Sequence, residues 1–234
     1  MHGNAVAFRA ALEDVRRVEP DLIVSLGDVA QGGPQPRECV ELLRELGCPC
    51  VFGNSDHFVL TLDLGAEAGL LDDDRKEQLL EVGRWSQEQL GDDGLDFLRA
   101  FQPTVELDLE GQRVVCCHAT PTSNEDVVLP QTPAEEIPAE GDVVAAGHVH
   151  LQWLRRVRGT LWLCAGSVGL VYEHAEPMAD VPFLPSSEYA VLTARDGRLD
   201  VEFRRIPFDV DELIAAARAA DFPGVDRWAA MWQR

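Results

Sequence analysis

The chain has 234 residues, of which 46% are hydrophobic and 26% charged, and its 41 acidic and 20 basic side chains leave a net charge of −21. Length and composition suit one globular domain over residues 1–234 with a sizeable core. No apolar run approaches the roughly 20 residues that span a bilayer, no basic-then-apolar leader opens the chain, and no Lys/Arg cluster is dense enough to track a phosphate backbone, so membrane and nucleic-acid partners are disfavoured and a cytoplasmic location is expected.

The first predicted element is a helix. In MHGNAVAFRAALEDV, residues Ala5, Phe8, Ala11, Leu12 and Val15 recur at spacings of three and four. Only Met1, His2, Gly3 and Asn4 precede it. A His-Gly pair ahead of a helix has the form of a loop that leaves a strand, and no strand stands before it. Short apolar runs follow at residues 21–26 (DLIVSL), 49–52 (PCVF), 113–117 (RVVCC), 142–146 (DVVAA) and 160–164 (TLWLC). Such runs, without polar alternation, predict strands buried on both faces. Residues 37–46 predict a helix, with Pro36 near its start and Gly47 at its end. Residues 57–101 read as a helical excursion of short helices and acidic turns. Asp196-Gly197 predicts a hairpin within residues 188–206, and residues 209–220 predict a helix capped by Asp209 or Asp211. Strands alternating with helices indicate an α/β fold.

The six cysteines lack the CxxC pairs of a structural zinc site and fit small buried residues in a reducing compartment. Arg155, Arg156 and Arg158 read as a solvated strand edge. Trp228 and Trp232, four apart, suit either core packing or a subunit contact.

The chemistry lies at the strand ends. The first four apolar runs lead into Asp28, Asn54, His118 and the His148/His150 pair. In an open α/β sheet such ends share one rim, where ligands bind. Imidazole, carboxylate and amide oxygen together suit divalent Mn, Fe, Zn or Ni. Asp28 is the candidate bridge between two such ions, about 3.5–4 Å apart in two-metal sites.

These residues, in this order, resemble the calcineurin-like metallophosphoesterase superfamily, whose pattern runs D-x-H, G-D, G-N-H-[DE], a His after a strand, and G-H-x-H. Here it reads Met1-His2-Gly3-Asn4, Gly27-Asp28, Gly53-Asn54-Ser55-Asp56, Cys117-His118 and Gly147-His148-Val149-His150. The match covers about residues 1 to 170, in the style of the small bacterial and archaeal enzymes. The resemblance implies a four-layer αββα sandwich of two mixed β-sheets. It also implies two divalent metal ions, one held by His2, Asp28 and His150, the other by Asp28, Asn54, His118 and His148. Asn54, Asp56 and His57 are the catalytic candidates, and Asn54 with His174 the substrate-binding ones.

Three departures qualify the resemblance. The Asp of D-x-H would fall before Met1, and the first strand is lacking, so the chain reads as beginning at an internal methionine. The His of G-N-H-[DE] is Ser55; His57 either replaces it or lies on the surface at a helix start. Gly32 stands where the phosphatase-type pattern has a phosphate-gripping Arg. His174 either lines the pocket or lies on the surface. The expected function is hydrolysis of small phosphodiesters or phosphomonoesters by a metal-bound hydroxide at a dinuclear site. The alternative is a catalytically weak metal- or nucleotide-binding protein.

Overall fold

The computed structural model describes residues 1–174 and 182–232. Helix α1 (Ala5–Val18) forms where the apolar spacing predicts it, and Asn4 caps it. The Asn4 side-chain oxygen accepts from the Ala7 N–H at 3.0 Å, and its NH2 donates to the Gly169 carbonyl at 2.9 Å. Helix α2 (Pro36–Leu46) opens on proline and ends at Gly47, whose left-handed conformation turns the chain away. Helix α3 (Asn54–Thr61), a 3-10 turn (Gly65–Leu70) and helix α4 (Asp73–Arg99) form the helical excursion, and α4 bends at Gly91. Phe8, Leu12, Val40, Leu43, Leu90 and Leu98 pack together between these helices.

Strands β1 (Thr104–Leu109), β2 (Gln112–Cys117), β3 (Val143–Ala146), β4 (Gln152–Val157) and β5 (Thr160–Ala165) build a mixed sheet in the order β1-β2-β3-β5-β4. The central three run parallel and the two edges antiparallel to their neighbours. All four residues of β3 are buried, as an unbroken apolar run requires. Short strands β6 (Val171–Tyr172) and β7 (Phe183–Leu184) pair with each other. Strands β8 (Ser186–Arg195) and β9 (Arg198–Pro207) form the hairpin expected at Asp196-Gly197, both of which have positive φ. Helices α5 (Val210–Ala219) and α6 (Val225–Ala230) follow, and Asp209 caps α5.

Side-chain alternation sets the layers. Val114, Cys116, Val143, Ala145 and Leu163 face Val24, Leu26 and Val51 together with Leu192, Val201 and Phe203 of the hairpin. Val115, Cys117, Val144, Trp162 and Cys164 face the other way, against Val128 and Ile137. Helix α1 packs on the hairpin. The mixed α/β sandwich expected from the sequence is therefore present.

Three features shape the surroundings of the sheet. Residues 21–26 and 49–52 run extended but join through single parallel bridges, Ser25 to Cys50 and Val51 to Gln102. Ser25 N–H donates to the Pro49 carbonyl and Val51 N–H to that of Ser25. Pro49 has no N–H with which to lengthen this ladder, and the Gly53 N–H is taken by the Asp56 carboxylate. Second, residues 119–141, which cover the outer face of the five-stranded sheet, form no helix. Third, the arginine group expected at a solvated edge clasps that segment. Arg155 donates to the carbonyls of Pro130 and Thr132, and Arg158 to that of Ile137.

Candidate metal centre

Five loops bring their polar residues to one place. Asp28 Oδ2 lies 3.4 Å from His2 Nε2 and 3.3 Å from His118 Nε2. On one side of it, His2 Nε2 and His150 Nε2 face each other at 2.9 Å. The donor atoms of His2, Asp28 and His150 all lie within 4.8 Å of one another. On the other side, Asn54 Oδ1 lies 2.9 Å from His118 Nε2 and 3.2 Å from His148 Nδ1. Two clusters thus share one carboxylate oxygen.

Backbone carbonyls fix the rings. The Gln31 carbonyl accepts from His2 Nδ1 at 2.9 Å, that of Leu26 from His118 Nδ1 at 2.6 Å, and that of Glu125 from His148 Nε2 at 3.2 Å. A carbonyl oxygen only accepts, so each ring directs its other nitrogen into the cleft. His150 is held differently: the Tyr172 ring stacks on it at 4.8 Å and 26°.

The loops are bent tightly to achieve this. His2, Asp28, His148 and His150 all have positive φ, a region that side-chain-bearing residues seldom occupy and that marks over-determined sites. Gly53 is required by close approach, since a Cβ there would overlap Asp28 Oδ1 and stand 2.7 Å from Asp28 N.

Burial governs protonation. It lowers the pKa of His2 and of His148 to about 4, and that of His150 well below its usual value, so these rings are neutral. His118 is the exception. Burial disfavours its charge, but the Asp28 carboxylate outweighs this and raises its pKa. Burial likewise opposes ionisation of Asp28, and the His118 charge beside it holds the carboxyl well below its ordinary range. A proton on His118 Nε2 thereby stands between Asp28 Oδ2 and Asn54 Oδ1, where a cation would be held. His150 Nδ1 is buried with no hydrogen-bond partner among the described residues. The orphaned His150 Nδ1 and an amide oxygen that faces the lone pair of His148 Nδ1 leave the hydrogen bonding of the cluster incomplete, and imidazole, carboxylate and amide oxygen together make a suitable donor set for divalent metal.

The structure brings together His2, Asp28, Asn54, His118, His148 and His150. Asp56 is a correction. It is fully buried, and its carboxylate accepts from the N–H groups of Asp28, Val29 and Gly53 at 2.8, 2.9 and 2.9 Å. Burial and the neighbouring Asp28 charge raise its pKa to about 6. It organises the loops and faces backbone, not the cleft. The His57 ring meets Phe52 edge-on at 6.3 Å. His174 is exposed, two residues beyond Tyr172. Sequence reasoning missed Tyr172; an aromatic residue shortly after Gly166-Ser167-Val168-Gly169, the loop that leaves β5, was the available signal.

A sequence model of the calcineurin-like phosphoesterase superfamily domain matches residues 1–181. Over 172 residues the chain is 31% identical to the uncharacterized protein MJ0912 of Methanocaldococcus jannaschii, covering 73% of this chain and 68% of that protein. The crystal structure of a metallophosphoesterase from Sphaerobacter thermophilus is similar, with a TM-score of 0.71, 25% identity, and coverage of 98% of this chain and 96% of that one. Hypothetical protein PH1004 from Pyrococcus horikoshii OT3 shares the fold, with a TM-score of 0.77, 17% identity, and coverage of 99% and 94%. With this match over most of its length, the chain belongs to the calcineurin-like phosphoesterase superfamily.

Proposed function

We propose that the protein is a metal-dependent phosphoesterase acting on small phosphodiesters or phosphomonoesters at a centre of two divalent ions. The observation that carries this reading is the single Asp28 oxygen set between His2 and His118, which joins two donor clusters as a bridging ligand would. His2, Asp28 and His150 would hold one ion, and Asp28, Asn54, His118 and His148 the other. Bound there, the ions would supply Lewis acidity, acidifying water and countering charge on the phosphoryl group. The chain's own part is to orient. Carbonyls of Gln31, Leu26 and Glu125 lock three imidazoles so that the other ring nitrogen of each faces the cleft, unprotonated in His2 and His148 and carrying, in His118, the proton that an ion would displace. The Asn54 amide turns its oxygen to the rings and leaves its NH2 for a phosphate oxygen. The acidic surface favours a small or metal-chelated substrate, with His57 and His174 as candidates at its edges.

A second reading, a metal- or nucleotide-binding protein with weak turnover, is favoured by Ser55. Its N–H donates to Asp28 Oδ1 at 2.9 Å, but it offers no imidazole to protonate a leaving group. One experiment addresses both. The protein is loaded with manganese, desalted, analysed for metal, and assayed on nitrophenyl and alkyl phosphodiesters and phosphomonoesters. Two ions per chain with hydrolysis that chelator abolishes is the expected result. Hydrolysis of nitrophenyl esters alone indicates an enzyme without an effective general acid. Metal uptake without turnover supports the binding reading, and no uptake removes the enzyme reading and the metal-binding form of the second.

A further inference from the structure

Residues 182–232 lie beyond the family match, yet they reach the His2/His150 side of the centre twice. Trp228 Nε1 donates to the Gly32 carbonyl at 3.0 Å, across 196 residues of chain. Gly32 follows Gln31, whose carbonyl holds His2 Nδ1. A Cβ on Gly32 would stand 3.6 Å from that same nitrogen. The second path is a run of rings. Tyr172 stacks on His150, Phe183 lies 5.8 Å from Tyr172 at 25°, and Trp232 lies 4.9 Å from Phe183. Trp228 and Trp232 are themselves in contact at 5.8 Å, so both paths start from one aromatic cluster. Phe183 is further fixed by its N–H, which donates to the Met231 carbonyl at 3.0 Å.

From these contacts we infer that the C-terminal aromatic cluster positions one half of the metal centre, with Trp228 setting His2 through the Gly32 loop and Tyr172 setting His150 by stacking. The inference rests on the metal-centre reading above. His150 Nδ1 has no hydrogen-bond partner among the described residues, and the ring bond that holds His2 Nδ1 comes from Gln31, next to the Gly32 that Trp228 grips, so the orientation of this pair depends on what packs behind it. The other half of the centre is held by the Leu26 and Glu125 carbonyls and needs no such support. Partners of this kind, one shell out from a ligand, set metal affinity by fixing ring orientation.

The test uses two matched substitutions. Trp228→Phe keeps an aromatic ring in the cluster and deletes the N–H that reaches Gly32. Trp153→Phe makes the same change outside the cluster, where the indole N–H is buried without a partner among the described residues, and serves as control. Manganese affinity is measured by calorimetry, and the histidine ring nitrogens of the metal-free proteins are followed by NMR. Trp228→Phe is expected to weaken the affected site roughly tenfold and to shift the His2 and His150 signals while those of His118 and His148 stay in place. Trp153→Phe should change neither. Equal affinities and unmoved His2 signals in the two variants overturn the inference. Equal losses of affinity in both, with matching falls in melting temperature, also overturn it, since a structural role alone would account for them. A wild-type protein that binds no manganese overturns the metal-centre reading together with this one.

Discussion

Asp56 is bonded to the backbone of Asp28 and not to its side chain: Oδ2 of Asp56 accepts from the Asp28 N–H at 2.8 Å. The same oxygen takes the Gly53 N–H and Oδ1 takes that of Val29, so one buried carboxylate ties the loop after residues 21–26 to the loop after residues 49–52. In Asp56→Asn an NH2 must face at least one of these N–H groups. The expected cost is about 1–3 kcal/mol, from a lost charge-assisted bond and an unsatisfied buried donor. Urea denaturation reads it directly. An unchanged midpoint would mean that the carboxylate does not organise the loops.

Gly53→Ala attacks the same junction by volume. Its Cβ would overlap Asp28 Oδ1 and crowd Asp28 N, which is backbone and cannot swing aside. The variant is expected to lose manganese binding by more than roughly tenfold, as for other disturbances around a metal ligand. Gly47→Ala is the comparison. It meets open space, and its only penalty is φ +62, so it should cost about 1 kcal/mol of stability and leave metal binding as in wild type. Calorimetric titration of both variants decides the matter, and equal affinities would refute the steric argument.

Much of this was legible in the sequence because local chemistry and final structure agree. Helix α1, helix α2 and the β8–β9 hairpin each pair a clear period with the right cap or turn residue. Strand β1 escaped notice although its signals were present: Val105, Leu107 and Leu109 alternate with Glu106 and Asp108 before a Glu110-Gly111 turn in which both φ values are positive. The acidic residues made it look like surface. Strand β4 was legible only as a solvated edge, through Arg155 and Arg156. At the centre, the six candidate ligand side chains could be named because five follow an apolar run and His2 stands just ahead of a helix. The groups that orient them could not. Leu26, Gln31 and Glu125 act through carbonyl oxygens, which every residue possesses. Asp56 was misassigned because its motif position says nothing about whether its oxygens meet the cleft or backbone N–H groups.

Asp14 anchors helix α1 to the hairpin and gives the fold a testable pH dependence. Its carboxylate accepts from the Tyr189 hydroxyl at 2.8 Å and from Arg204 Nε and Nη2 at 3.0 and 2.8 Å. Burial would raise its pKa, but the hydroxyl and guanidinium bonds outweigh it and hold the carboxyl below its ordinary value of 3.8. A depressed carboxyl stabilises the fold above its unfolded pKa and loses that contribution as pH falls through the folded value. Asp14→Asn should therefore be less stable than wild type at neutral pH by about 1–3 kcal/mol, the range for bonds to charged groups. The gap should begin to narrow as pH falls past about 4, where the unfolded carboxyl protonates, and should close only below the folded-state pKa, which lies under 3.8. Melting curves of both proteins from pH 7 to pH 3 measure it, and a gap that is constant across this range would remove Asp14 ionisation from the account.

Residues 119–141 pose the remaining problem, since a segment without helix or long ladder must satisfy its carbonyls elsewhere. Arg155 and Arg158 do this for Pro130, Thr132 and Ile137, from the edge strand β4 and the turn that follows it. The same segment carries Glu125, whose carbonyl sets His148. Replacing both arginines with alanine is expected to leave the sheet protected from amide exchange, because β3 and β5 are buried between two packed faces. Exchange within 119–141 should rise by an order of magnitude or more, in proportion to an opening made easier by about 1–2 kcal/mol. Manganese affinity should fall with it, less than in Gly53→Ala, since only one ligand loses its support. Exchange mass spectrometry resolves the two regions. Faster exchange in 119–141 with unchanged affinity would show that His148 holds its orientation without the Glu125 carbonyl, whereas unchanged exchange would show that the packing of Val128 and Ile137 alone seats the segment.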